Sequence, residues 1–149
     1  MKLNQFKMTQ LTPTEMQRQL KLDHDIIERK HNFKFELGDI QGYANIGVTP
    51  ADKTIEIHDF FPYGTGTILR DDRYKLRKGF GTLCHIKVLL KLKEQIPNIH
   101  EHTLKVEHPS DEFKGMLKAM GLRHAMPFNE HLAIAIAYAN KKGFDFKHP

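Results

Sequence analysis

Between Phe33 and Phe61 apolar residues alternate with polar ones, and from Thr82 onward they recur on the helical period. That switch constrains the fold more than any other feature, because period-2 segments followed by period-3.6 segments imply helices packed on a sheet. Phe33 and Phe35 alternate with Lys34 and Glu36, Gly38-Asp39 makes a turn, and Tyr43 to Val48 forms the next strand. Pro50-Ala51-Asp52 then turns the chain into Thr54 to Phe61. In the helix that follows, Leu83, Ile86, Leu89, Leu90 and Leu92 occupy a core side opposite Lys87, Lys91 and Lys93, and Pro97-Asn98 stops it.

The flanking segments complete the pattern. Leu3 to Gln10 reads as a weak first strand, and Thr12-Pro13-Thr14-Glu15 opens a helix with a capping box. Met16, Leu20, Asp23 and Ile27 continue it at helical spacing to near His31. Thr103 to Glu107 is a short strand, and Ser110 to Met120 a helix capped by Gly121. Arg123 to Ala139 reads as a hairpin, because Leu132, Ile134, Ile136 and Tyr138 alternate with alanines. The fold class expected is α/β (α+β in some schemes). It is a mixed, mostly antiparallel central sheet of about six to seven strands with helices on both faces.

With 149 residues and no linker or repeat, residues 1–149 are expected to form a single domain. Lysine and arginine (23) exceed aspartate and glutamate (18), but the basic residues are scattered among acids, which argues against a nucleic-acid surface. One cysteine, Cys84, excludes an internal disulfide or a multi-cysteine metal site and reads as a buried apolar residue. His100, His102 and His108 match no accepted zinc spacing, although the first two would share a strand face, and no metal is expected. No apolar stretch follows Met1 to Asn4, so no signal peptide is expected. The longest nearly apolar run, Leu132 to Ala139, falls short of the ~20 residues of a membrane span. A cytoplasmic location without membrane contact is expected. Phe6, Phe33, Phe35, Phe60, Phe61, Phe113 and Phe128 are candidate core residues.

The segment richest in chemical information is Leu76-Arg77-Lys78-Gly79-Phe80-Gly81-Thr82, at the start of a helix. Glycines admit a phosphate close to the backbone, the helix start offers free N–H groups, and Arg77 and Lys78 add charge. It is not a P-loop, because Lys78 precedes Gly79 and no Gly-Lys pair exists. It is not the dinucleotide fingerprint either, since Cys84 stands where a third small residue belongs. Nor does the chain carry a Gly-x-Ser-x-Gly elbow; Ser110 is its one serine.

With Ile55 to Phe61 before this turn, and His108-Pro109-Ser110 leading to Met116 through Leu122 after it, the chain resembles the acetyl-CoA-dependent N-acetyltransferase superfamily, which includes histone and aminoglycoside acetyltransferases. The resemblance covers residues 30–138. It implies an acyltransferase that moves an acetyl group from acetyl-CoA to a primary amine by direct attack. Phe60 and Phe61 would lie along the acetyl-pantetheine arm, and Arg77, Lys78, Gly79, Phe80, Gly81 and Thr82 would hold the pyrophosphate. The chain departs from the family pattern in three places. Leu76 replaces the turn's Arg or Gln, Ser110 an Asn, and Leu117 the Tyr that protonates the departing thiolate.

An amine with a pKa near ~10.4 must lose a proton before it attacks, so a base is needed beside the thioester. Glu56 aligns with a strand glutamate that serves as base in some members, and His58 and Asp59 are alternatives. In a regular strand Glu56 and His58 share one face while Asp59 points with Ile57. Backbone N–H groups near Phe60 or Phe61 would stabilise the oxyanion, and Tyr63, Tyr74, His108 and Ser110 are candidate proton donors. The long Pro62–Lys78 connection is expected to order on CoA binding or to remain a surface loop. The partners implied are CoA and an amine acceptor, small molecule or protein, with a homodimer left open. A different class also fits the departures: a degenerate acyltransferase fold that binds CoA, nucleic acid or a protein without catalysis.

Overall fold

A computed structural model of the chain describes residues 6–20, 31–37, 40–62 and 79–144. In chain order these form β1 (Lys7–Leu11), α1 (Pro13–Leu20), β2 (His31–Leu37), β3 (Ile40–Thr49), β4 (Thr54–Phe61), α2 (Phe80–Gln95), β5 (Thr103–Val106), α3 (Asp111–Met120), β6 (Ala125–Pro127) and α4 (Phe128–Lys141). The strands make one mixed sheet in the order β1-β2-β3-β4-β5-β6. Every neighbouring pair is antiparallel except β4–β5. Among the described residues no helix is long and apolar enough to cross a membrane.

Alternation along the strands divides the core in two. Phe33, Phe35, Ala44, Ile46, Ile55, Ile57, Leu104 and Val106 face α2, α3 and α4 in the larger cluster. Leu11 and Tyr43 meet Met16 of α1 in a smaller one on the opposite face, with Phe61 against it. Helices therefore cover both faces. The α1 capping box is formed as the sequence suggests: Thr12 N donates to Glu15 Oε1 at 3.0 Å and Glu15 N to Thr12 Oγ1 at 3.1 Å. Ser110 caps α3 and Gly121 ends it. Along α2, Leu83, Ile86, Leu89 and Leu92 are fully buried, each contributing roughly 1.5–3 kcal/mol by leaving water.

Residue spacing misleads at several points. β1 runs to Leu11, β2 already begins at His31, and the expected helical positions Asp23 and Ile27 and the Gly38-Asp39 turn lie outside the described residues. His100 sits in a short 3-10 turn and His102 follows it, its Nδ1 3.1 Å from Asn98 O, so the two share no strand face. The largest correction is the C-terminal hairpin. Only Ala125–Pro127 is strand, and residues 128–141 are helix. Phe128, His131, Leu132, Ala135 and Ala139 bury one helical face, whereas Ala133 and Ala137 are exposed. The alternation arises because small alanines, not the larger apolar residues, meet the core at two positions. Alanine's helix propensity over a 14-residue run decides the outcome.

The four alanines therefore separate into two pairs. Ala135→Leu and Ala139→Leu should each overpack the core and destabilise by about 1–3 kcal/mol. Ala133→Leu and Ala137→Leu should leave thermal stability nearly unchanged. A hairpin would put all four on one face, and equal effects at all four in thermal melts would contradict the helix.

Candidate functional site

The β4–β5 ladder is short. It pairs Thr54 with Thr103 through Ile57 with Val106, after which Glu107 N donates to Ile57 O at 2.9 Å. β5 then ends and the chain turns into α3, while β4 continues to Phe61 with β3 as its one strand neighbour among the described residues. The sheet forks here. Where Asn45 and Ile46 step by one residue on β3, their partners Asp59 and Ile57 step by two on β4, so His58 is the extra residue of a bulge.

The bulge resets which side each residue faces. Phe60, opposite Ala44, joins the larger core with Ile57, and Asp59, opposite Asn45, moves to the α1 side. This corrects the expectation that Asp59 points with Ile57; an unbroken alternation cannot reveal an inserted residue. Glu56 and His58 do come together. His58 Nε2 lies 3.3 Å from Glu56 Oε2, with both side chains partly exposed (21% and 31%).

Phe60 is buried in an aromatic group: its ring is 4.7 Å from Phe113 of α3 and 5.5 Å, edge-on, from His85 of α2. Phe61 packs on Tyr43 at 5.5 Å on the other face. Both side chains are engaged in packing, so a ligand along β4 meets backbone at these positions. The same holds at the start of α2. Phe80 packs edge-on against Phe6 at 5.3 Å, and Thr82 is buried. The N-cap residue Gly79 has φ +89° and no side chain of the described residues caps the helix, leaving the first-turn amides without an intrahelical acceptor. A Cβ on Gly79 would lie 2.7 Å from the Phe144 ring, so this glycine makes room for a side chain of the protein itself. Arg77, Lys78, Tyr63, Tyr74 and the rest of the 63–78 connection lie outside the described residues. Ser110 Oγ accepts from Phe113 N at 3.2 Å, which makes it a helix cap beside the fork.

Two polar features escape a reading by hydrophobic period. Asn45 Nδ2 donates to Asn32 Oδ1 between β2 and β3, and both residues are fully buried. Asp59 pairs with Asn45 in register, so three polar residues cross three strands in a row. Burial first, and the Asp59 charge second, push the Tyr43 phenol well above its ordinary range. The one sequence signal was the position of Asn32, which is out of phase with Phe33 and Phe35. Behind Phe60, His85 and His131 are each completely buried, with Nε2 atoms 2.8 Å apart and neither Nδ1 partnered. In the neutral pair one ring donates Nε2–H and the other must carry its proton on a buried, unsatisfied Nδ1. Burial, then the neighbouring ring, holds His85 well below the usual imidazole range, and burial pushes His131 down to about 4.

Among the described residues no three His, Cys, Asp or Glu side chains are grouped to hold a metal ion. No family model, curated protein or solved structure matches the chain.

The histidine pair gives the fold a pH dependence whose sign is fixed. The unfolded chain takes up these protons near pH 6.5, and the folded chain resists them until lower pH. Stability is therefore complete above about pH 6.5 and falls below it, by up to ~1.4 kcal/mol per pH unit for each histidine. Urea denaturation at pH 7 and pH 5 should show this loss, and a His85→Leu/His131→Leu variant should show a shallower one. Equal slopes in the two proteins would remove the pair as its cause.

Proposed function

We propose that the chain is an acetyl-CoA-dependent N-acetyltransferase acting on a primary amine. The observation that carries this reading is the fork, where β4 outruns its parallel neighbour through a bulge that places a carboxylate–imidazole pair at the branch. Three features fit a CoA thioester. Among the described residues the β4 edge past Ile57 has no strand on the β5 side, which suits an extended amide-bearing arm. The uncapped start of α2 suits an anion. Ser110 and α3 begin at the same end of the sheet. The Phe144 ring occupies the space beside Gly79, so the phosphate contacts fall to the amides of Phe80, Gly81 and Thr82.

Bound there, acetyl-CoA supplies an activated acetyl group. The chain's own residues handle the proton and the developing charge. Glu56, directly or through His58 held 3.3 Å away, takes a proton from the acceptor ammonium. A backbone N–H of Phe60 or Phe61 offers a fixed dipole that needs no reorganisation as negative charge grows on the carbonyl oxygen. A thiol with a pKa near ~8.5 leaves tolerably as thiolate, so the family's tyrosine is not required at Leu117.

A second reading has its own support: Leu117 is apolar and buried, so this side chain offers no proton where the family has its tyrosine. In that case the fold binds CoA without turnover.

Acetyl-CoA at 100 times its dissociation constant should stabilise the protein by ~2.7 kcal/mol, read as a raised Tm. Glu56→Gln should retain that shift and lower kcat/KM by about 10²–10⁴ in a thiol-release assay with a panel of amines. An unchanged Tm at millimolar acetyl-CoA sinks both readings. A Tm shift without turnover across the panel selects the second.

A further inference from the structure

Beside α3 the surface is hollowed by a concavity of about 470 Å³. Lys114 and Lys118, four residues apart on α3, stand over it, with His108 from the β5–α3 connection and His124 from the turn into β6. Its floor is apolar, made by the largely buried Leu117 and Leu122. No acidic residue lines it.

Lys53, Lys91 and Arg123 each pair with a glutamate, at 3.3, 3.4 and 3.7 Å. Lys114 and Lys118 pair with no carboxylate among the described residues, although like charges at this spacing oppose helix formation. Two ammonium groups make a local positive field around one hollow, and the nitrogens of two imidazoles add hydrogen-bonding groups on its rim. Lysine ammoniums act as point charges on phosphate, and the leucine floor takes an apolar group that water would otherwise cover.

We propose that this concavity binds a phosphate monoester carried on an apolar body. None of its lining residues belongs to β4 or α2, so binding here needs no contact with Glu56 or His58.

The test is an amide NMR titration at fixed ionic strength with phenyl phosphate, inorganic phosphate and benzyl alcohol. Phenyl phosphate should give saturable shifts confined to residues 108–124 and bind more tightly than inorganic phosphate, and benzyl alcohol should give none. Lys114→Gln/Lys118→Gln, at exposed helix positions, should weaken phenyl phosphate about tenfold with an unchanged far-UV spectrum, as expected for two exposed charge contacts. The proposal is overturned by shifts that do not saturate, by equal shifts around Lys91 and Lys93, or by benzyl alcohol binding. It is equally overturned if the two phosphates bind alike or if the double variant binds as tightly as the parent.

Discussion

The parallel pairing of β4 with β5, and its early end, is the constraint on which the rest of the structure depends. Parallel neighbours cannot be joined by a tight turn, so the chain needs a crossover, and α2 lies in it. Both strands run in the same direction, and the helices that follow them begin at the same end of the sheet. Phe60 records that convergence, because its ring touches His85 near the start of α2 and Phe113 near the start of α3. When Glu107 takes the carbonyl of Ile57, β5 leaves and β4 goes on, and two helix starts face an edge that no strand of the described residues covers.

Most of this frame was legible in the residues. The order of elements from β1 to α3, the capping box at Thr12, the Gly121 stop of α3 and the leucine face of α2 all follow from local rules of period and termini. The bulge was not legible. An extra residue leaves no mark in a run as uniformly strand-like as Ile55 to Phe61, yet it moves Asp59 from one side of the sheet to the other. The C-terminal helix is hidden for the opposite reason: large apolar residues at every second position imitate a strand, while two of the alanines between them meet the core. Ala135 and Ala139 are small, and α2 and α4 pack against each other over the sheet.

The candidate site was readable to the same degree. The closeness of Glu56 and His58 needs only two-residue spacing, and the structure has it. Phe60 and Phe61, by contrast, lend only their backbone, because apolar side chains at a branch in the sheet are drawn into the two cores on either side. Gly79 shows how a motif glycine serves packing: its missing Cβ admits Phe144. Gly42 does the same on β3, where a Cβ would lie 2.1 Å from Phe61 O. Each glycine marks a close approach that a sequence motif alone cannot assign.

The buried Asn32–Asn45 pair gives the sheet a reason to keep its register. A polar pair without partners is far more costly in an apolar core than in its own network. Sliding β2 or β3 by one residue would turn the asparagines toward α2 and send Phe33, Ala44 and Ile46 to the α1 side. Because β3 in turn sets the register of β4, the same pair fixes where the strand must accommodate its extra residue. His58 is thus held beside Glu56 by a polar contact two strands away, and the geometry at the fork is a consequence of the sheet's polar face as much as of its apolar one.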